Sequence, residues 1–505
     1  MRTSFVKLAS VAALQQSVMA ELLTLRFDDA CSALANKLPG KVSYPNSTQY
    51  AMSNNYWSAP QAEIHPACFI TPESAEEVSD IIKTLASLEI QFTVKSGGHT
   101  AFAGGSNIED GVTIDLARLN QVAVSDDRKT VSIGPGNRWY NVSQVLDPLG
   151  LAVVGGRVNE VGVSGLILGG GISFFSGKYG WACDNVRNFE IVLASGRIVN
   201  ASTSENPDLY WALRGGGGSN FGVVTQFDLV AFEQGDVWLY SPIYTLSSSA
   251  DLVPAFVDLA VDGLPSDHDA HTFFVIANFP GYGEIIANYM YHAIPPVTAE
   301  DVPPVFANAI AVPGAVSSTT LVANVSTHTI NLSEPYGMRK SWSGTSVYLK
   351  EGSAQFLQDI ILLWQEHAQE LMAAAGKTNT TLSPLFVYQP ISTNIIEAMQ
   401  KNGGNALGLR PEEGPLVHIQ VVTHWETSKL DSLVESSVAE LIEKIGALAE
   451  ERGLAAKYIY MNYAGRHQDV YGGYGSENHE RLRMVSEEYD PARIFETLWR
   501  GYFKA

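Results

Sequence analysis

Residues 71–89 place Val78, Ile81, Ile82 and Leu85 at helical spacing behind a Thr-Pro start, and residues 90–94 then read as a short buried strand. Helical and β patterns alternate in this way through glycine connections from about residue 63 to about residue 235. Beyond that point the grammar changes. Short β-rich runs at 271–277 and 417–422 mix with helical periodicity over 354–375, and an amphipathic helix is predicted over 432–451. There is no internal repeat, low-complexity tract or long charge run, and the proline-rich stretch 295–313 predicts a surface connection.

Three glycine-dense segments interrupt the first region: KSGGHTAFAGGS at 95–106, GVSGLILGGG at 162–171 and RGGGGSNFG at 214–222. The first follows a strand pattern directly and carries His99. Glycines 97 and 98 let backbone N–H groups approach a ligand without side-chain obstruction, and successive amides of this kind cradle a pyrophosphate. A single glycine loop is usually a tight turn; three within about 130 residues point to a ligand.

Other phosphate and catalytic motifs do not account for them. Gly177-Lys178-Tyr179 lacks the spacing and hydroxyl of a Walker loop, and Gly162-Val163-Ser164-Gly165 is not a nucleophile elbow. No GxGxxG opens a strand–helix turn, so an ordinary NAD-binding domain is not expected. No metal is expected either, since HExxH and paired CxxC are missing.

Several motifs in order carry a resemblance. SGGHT, GPGNRW at 134–139, VGVSGLILGGG, YGWACDNV at 179–186 and SNFGVV resemble the FAD domain of the p-cresol methylhydroxylase and vanillyl-alcohol oxidase superfamily, while YMNY at 460–463 and YDPARIF at 489–495 resemble the C-terminal signature of berberine bridge enzyme-like oxidases. The resemblance implies an α+β fold with a two-part FAD-binding domain, residues 63–235 and 441–505. A substrate domain built on an antiparallel sheet, residues 236–440, is inserted between the parts. Residues 21–62 form an N-terminal segment.

The resemblance also implies roles. His99 matches the histidine that bonds to the flavin 8α-methyl carbon; the other reading is a hydrogen bond to noncovalent FAD. Ser96, Gly97, Gly98, Thr100, Val161, Gly162, Gly165, Gly170, Asn220, Gly222, Val223, Tyr460 and Asn462 fall on cofactor-binding positions. Many members add a cysteine link in G-x-C-x-x-V-G-V, but here Val158 stands at the cysteine position, so a single link is expected. Val161 falls at the position of an oxygen gate, or is only a core valine. Tyr463 matches the proton acceptor; an ordinary phenol, with a pKa of about 10, is a poor base at neutral pH and needs a cationic or hydrogen-bonded setting. Strand alternation would put Tyr460 and Asn462 on one face and Tyr463 on the other. Gln420 stands where some members have a glutamate base, and His418 and Gln389 are further candidates for the substrate pocket. Cys31 and Cys68 correspond to a pair often disulfide-linked in the family, which leaves Cys183 as a buried thiol.

Composition changes the picture in two ways. At 505 residues the chain is long enough for two domains, and its formal charge of −21 argues against nucleic acid or an anionic membrane as partner. Residues 1–20 carry Arg2 and Lys7, an apolar stretch 8–14 and a Val-Met-Ala ending, the pattern of a signal peptide, with an ordinary helix as the other reading. Sequons at Asn46, Asn141, Asn200, Asn324, Asn331 and Asn379 fit a secreted glycoprotein. The expected activity is oxidation of a hydroxyl- or amine-bearing small molecule by FAD, with O2 reduced to H2O2. A flavin-scaffolded cyclase and a silent binding protein are the alternatives.

Overall fold

The computed structural model describes residues 27–279, 283–298 and 301–505, so the leader expected over 1–20 lies outside the described residues. The first predicted helix forms over Ala75–Ser87 and buries Val78, Ile81, Ile82 and Leu85. Ser74 caps it by accepting from the Glu77 N–H, and Glu76 and Glu77 sit in the first turn, where negative charge opposes the helix dipole. The strand that follows, Phe92–Lys95, pairs in parallel with Val112–Asp115, which pairs in parallel with Cys68–Ile70. A disulfide joins Cys31 to Cys68 and ties the N-terminal helix to this sheet, while Cys183 is free and buried.

A second sheet is antiparallel, its central strand Val223–Glu233 flanked by Thr130–Ile133 and Val186–Val192. The third has eight strands among the described residues. From Ser317–Ala323 at one edge it runs through Val237–Thr245, Gly283–His292, Ala270–Phe279, Leu382–Ile391, Leu416–Trp425 and Arg339–Tyr348 to the short Ala455–Ala456.

Alternation along its strands decides what each face does. Phe274, Ile276, Phe386, Tyr388, Val417, Ile419 and Val421 pack in one core with the helices Ser249–Asp258, Ser353–Thr378 and Asp431–Glu451. Each such apolar side chain contributes about 1.5–3 kcal/mol by leaving water. The intervening residues Gln389, His418 and Gln420 therefore point away from those helices, and all three are buried. The chain then returns to its beginning: the Phe92 N–H donates to the Leu498 carbonyl, and the Arg500 N–H donates to the Phe92 carbonyl.

Two local expectations are revised. Segment 460–463 is not a strand: Met461–Tyr463 is one turn of 3-10 helix. The proline-rich stretch is not all surface, because Phe306 is buried against Trp238. Among the described residues no helix is long and apolar enough to cross a membrane.

Candidate active site

The glycine loops meet backbone to backbone. A Cβ on Gly97 would lie 2.5 Å from the Gly162 Cα, so neither position admits a side chain, and Gly98 has φ +68°. Ser96 Oγ donates to the Pro135 carbonyl and Arg138 donates to the Gly97 carbonyl, which fixes the first loop against the GPGNRW segment. Gly170 and Gly171, at φ +119° and +96°, end the second loop. The amides of Gly171 and Ile172 both donate to the Tyr460 hydroxyl oxygen at 3.2 Å, and Asn462 Nδ2 donates to it at 2.9 Å. Tyr460 thus secures the loop through its oxygen, and burial raises its pKa despite those donors.

Between these loops runs a cleft of about 1460 Å³, counted to its open mouth. Glycines 97, 98, 105, 162, 165, 218 and 222 line it, so backbone can approach a ligand along its length. Its wall includes His99, Tyr463 and every cofactor position singled out in the sequence apart from Gly170 and Asn220. Asn220 faces elsewhere: its amide donates to the Gly216 carbonyl and the Tyr471 hydroxyl and accepts from the Ala505 N–H.

His99 stacks on Trp57 with ring centres 3.8 Å apart and planes 17° from parallel. Its Nε2 is buried and without a hydrogen-bond partner among the described residues. Burial, with Lys340 and Arg138 adding like charge, pushes its pKa down to about 3, so the imidazole is neutral and keeps a free lone pair. Fixed ring, free nitrogen and side-chain-free cradle together fit FAD. Ser96, Gly97, Gly98, Thr100, Gly162 and Gly165 are placed to hold it.

Tyr463 lies in the same cleft, its ring 4.8 Å from that of Tyr460 and 5.9 Å from that of His418. The 3-10 turn brings together the two tyrosines that alternation would have separated. Tyr463 also has a partner that the sequence did not reveal. Arg157 donates to its hydroxyl oxygen at 2.9 Å and to Gln389 Oε1 at 2.7 Å, lies 2.9 Å from His271 Nε2, and sits over the Phe273 ring at 4.8 Å from its centre. Burial, then the guanidinium, pushes the His271 pKa well down, so His271 is neutral. None of the three partners is a carboxylate.

Gln389, His418 and Gln420 do not form the cleft wall themselves. Gln389 backs Arg157. His418 contacts Ser346 Oγ through Nδ1 and is pushed by burial to a pKa of about 3, while its Nε2 abuts Gly344. The Gln420 amide nitrogen is buried without a partner among the described residues.

The family described as FAD binding domain matches residues 66–202. An FAD-dependent monooxygenase of Cochliobolus heterostrophus is 35% identical over 94% of this chain and 94% of its own. Two solved structures share the fold. 6-Hydroxy-D-nicotine oxidase from Arthrobacter nicotinovorans has a TM-score of 0.75 at 20% identity, covering 91% of this chain and 97% of that one. The glucooligosaccharide oxidase of Acremonium strictum, described with 6-S-cysteinyl, 8α-N1-histidyl FAD, has a TM-score of 0.71 at 19% identity, covering 94% and 98%. The chain is an FAD-dependent oxidoreductase and belongs to the vanillyl-alcohol oxidase and p-cresol methylhydroxylase superfamily, among its berberine bridge enzyme-like members.

Proposed function

We propose that the protein oxidises a hydroxyl- or amine-bearing carbon of an organic small molecule. FAD, held covalently by His99, supplies the hydride acceptor when bound and delivers the electrons to O2 as H2O2. Tyr463 removes the proton from the substrate hydroxyl or amine. Arg157, donating to the Tyr463 oxygen at 2.9 Å with no carboxylate among its hydrogen-bond partners, stabilises negative charge on that oxygen. Neutral His271 and Gln389 hold the guanidinium in register without taking up its charge. That contact carries the reading.

Single attachment rests on Val158, which lines the cleft and has no nucleophile, in contrast to the Acremonium enzyme with its cysteinyl bond. A second reading, insertion of one oxygen atom into the substrate, is favoured by the name of the Cochliobolus relative. A substrate panel read by peroxide release, repeated under 18O2, separates the two: simple oxidation gives one H2O2 per product and no label, whereas oxygenation labels the product. Anaerobic substrate should bleach the flavin. Product without bleaching would assign the protein to non-redox cyclisation and overturn the proposal.

A further inference from the structure

Beside His99 stands a group of ionisable side chains that substrate oxidation does not use. Lys340 Nζ lies 3.8 Å from the centre of the Trp57 ring on which His99 stacks. The same nitrogen is 3.3 Å from Glu334 Oε2, and His424 Nε2 is 3.4 Å from that oxygen. Glu334 lines the cleft together with His99 and Trp342. Glu160, another carboxyl nearby, does not line it.

A buried ammonium is costly unless paired, and Lys340 has a fully buried side chain whose carboxylate partner is Glu334. The pair holds a carboxylate, itself only partly covered, on the wall of the cleft that His99 also lines. His424 is pushed by burial to a pKa of about 3 and brings no second charge to the group.

We propose that Glu334 is the proton acceptor when the protein attaches FAD to His99, a reaction the protein performs on itself; the proposal rests on the covalent reading above. One C8α–H bond breaks and its proton passes to Glu334. The His99 lone pair forms the new N–C8α bond and the imidazole gives up its N–H proton. The electron pair left on the flavin, with two protons, passes to O2 as H2O2, so the net change is FAD plus histidine plus O2 to histidyl-FAD plus H2O2. Trp57 keeps the imidazole in one orientation, and Lys340 stabilises the carboxylate. Burial raises the Glu334 pKa, which makes it a stronger proton acceptor than an exposed carboxylate, while Lys340 limits that rise.

The test follows covalent attachment rather than turnover. Full-length protein produced without FAD is mixed with FAD in air, and acid-precipitated flavin on the His99 peptide is measured over time for wild type, Glu334→Gln, Glu334→Asp and Glu160→Gln. Loss of a general base lowers such a rate by roughly 10²–10⁴-fold. Glu334→Gln should fall by that factor while binding FAD noncovalently with wild-type affinity, although loss of the Lys340 partner lowers its unfolding temperature; Glu334→Asp should recover part of the rate, and Glu160→Gln should match wild type. Attachment by Glu334→Gln at the wild-type rate overturns the proposal, as does a loss accompanied by weakened FAD binding or one that Glu334→Asp, which keeps the carboxylate, does not recover in part. If wild type itself releases all its flavin, the covalent reading of His99 has failed instead.

Discussion

Arg157 and Tyr463 stand 306 positions apart in sequence, yet the guanidinium donates to the phenol oxygen at 2.9 Å. The two come from different parts of the fold: Arg157 from the segment before the second glycine loop, Tyr463 from the returning C-terminal part. In the proposed function this charge-assisted hydrogen bond places the cation where negative charge on the phenol oxygen would develop.

Removing that cation should be costly and reversible. A charge-assisted hydrogen bond is worth about 1.5–3 kcal/mol, so Arg157→Ala should slow anaerobic flavin reduction by roughly 10–150-fold. Added methylguanidinium should restore part of the rate in this variant and leave wild type unaffected. Stopped-flow traces insensitive to the substitution would remove Arg157 from the chemistry.

Val161 lines the cleft and is half-buried, with its backbone fixed by the Trp139 N–H donating to its carbonyl. Val161→Leu adds bulk at a rigid point. Reoxidation of reduced enzyme by O2 should slow while reduction by substrate stays near wild type. Equal reoxidation rates would leave Val161 a packing residue.

Acid sensitivity follows from histidines buried in the neutral form. His367, hydrogen-bonded to Ser437 Oγ and remote from the cleft, is pushed by burial to about 4 from an ordinary value of 6.5. Between those values the unfolded chain binds a proton that the folded chain does not. The stability term is therefore complete above pH 6.5 and is lost as pH falls toward 4, at most about 3 kcal/mol. His367→Gln keeps a partner for Ser437 and cannot titrate, so its unfolding free energy should fall less steeply between pH 6.5 and 4 in denaturant titrations. Parallel curves would refute the assignment.

What was legible in the sequence was whatever a local motif encodes. SGGHT marked the loop, VGVSGLILGGG marked its packing partner, and the disulfide followed from the resemblance. Arg157 is not legible because nothing within its own segment distinguishes it: it occupies an unspecified position beside Val158, and its partners His271, Gln389 and Tyr463 come from three distant elements. Geometry at 460–463 is not legible in the local sequence for a related reason. Alternation holds for a strand, whereas this segment turns to let Tyr460 accept from Gly171 and Ile172, a demand set by the other half of the fold. Asn220, next to a cleft-lining serine, was drawn instead to Tyr471 and the C-terminal residues.

The most direct test compares anaerobic flavin reduction in wild type, Tyr463→Phe and Tyr460→Phe with one turnover substrate. Tyr463→Phe keeps the ring and deletes the proposed proton acceptor, so reduction should slow by roughly 10²–10⁴-fold while the flavin content stays at the wild-type level. Tyr460→Phe strips a common acceptor from two buried amides and should instead lower stability by about 1–3 kcal/mol, with a smaller effect on the reduction step. Reduction of Tyr463→Phe at the wild-type rate across pH would contradict the account and move the base elsewhere.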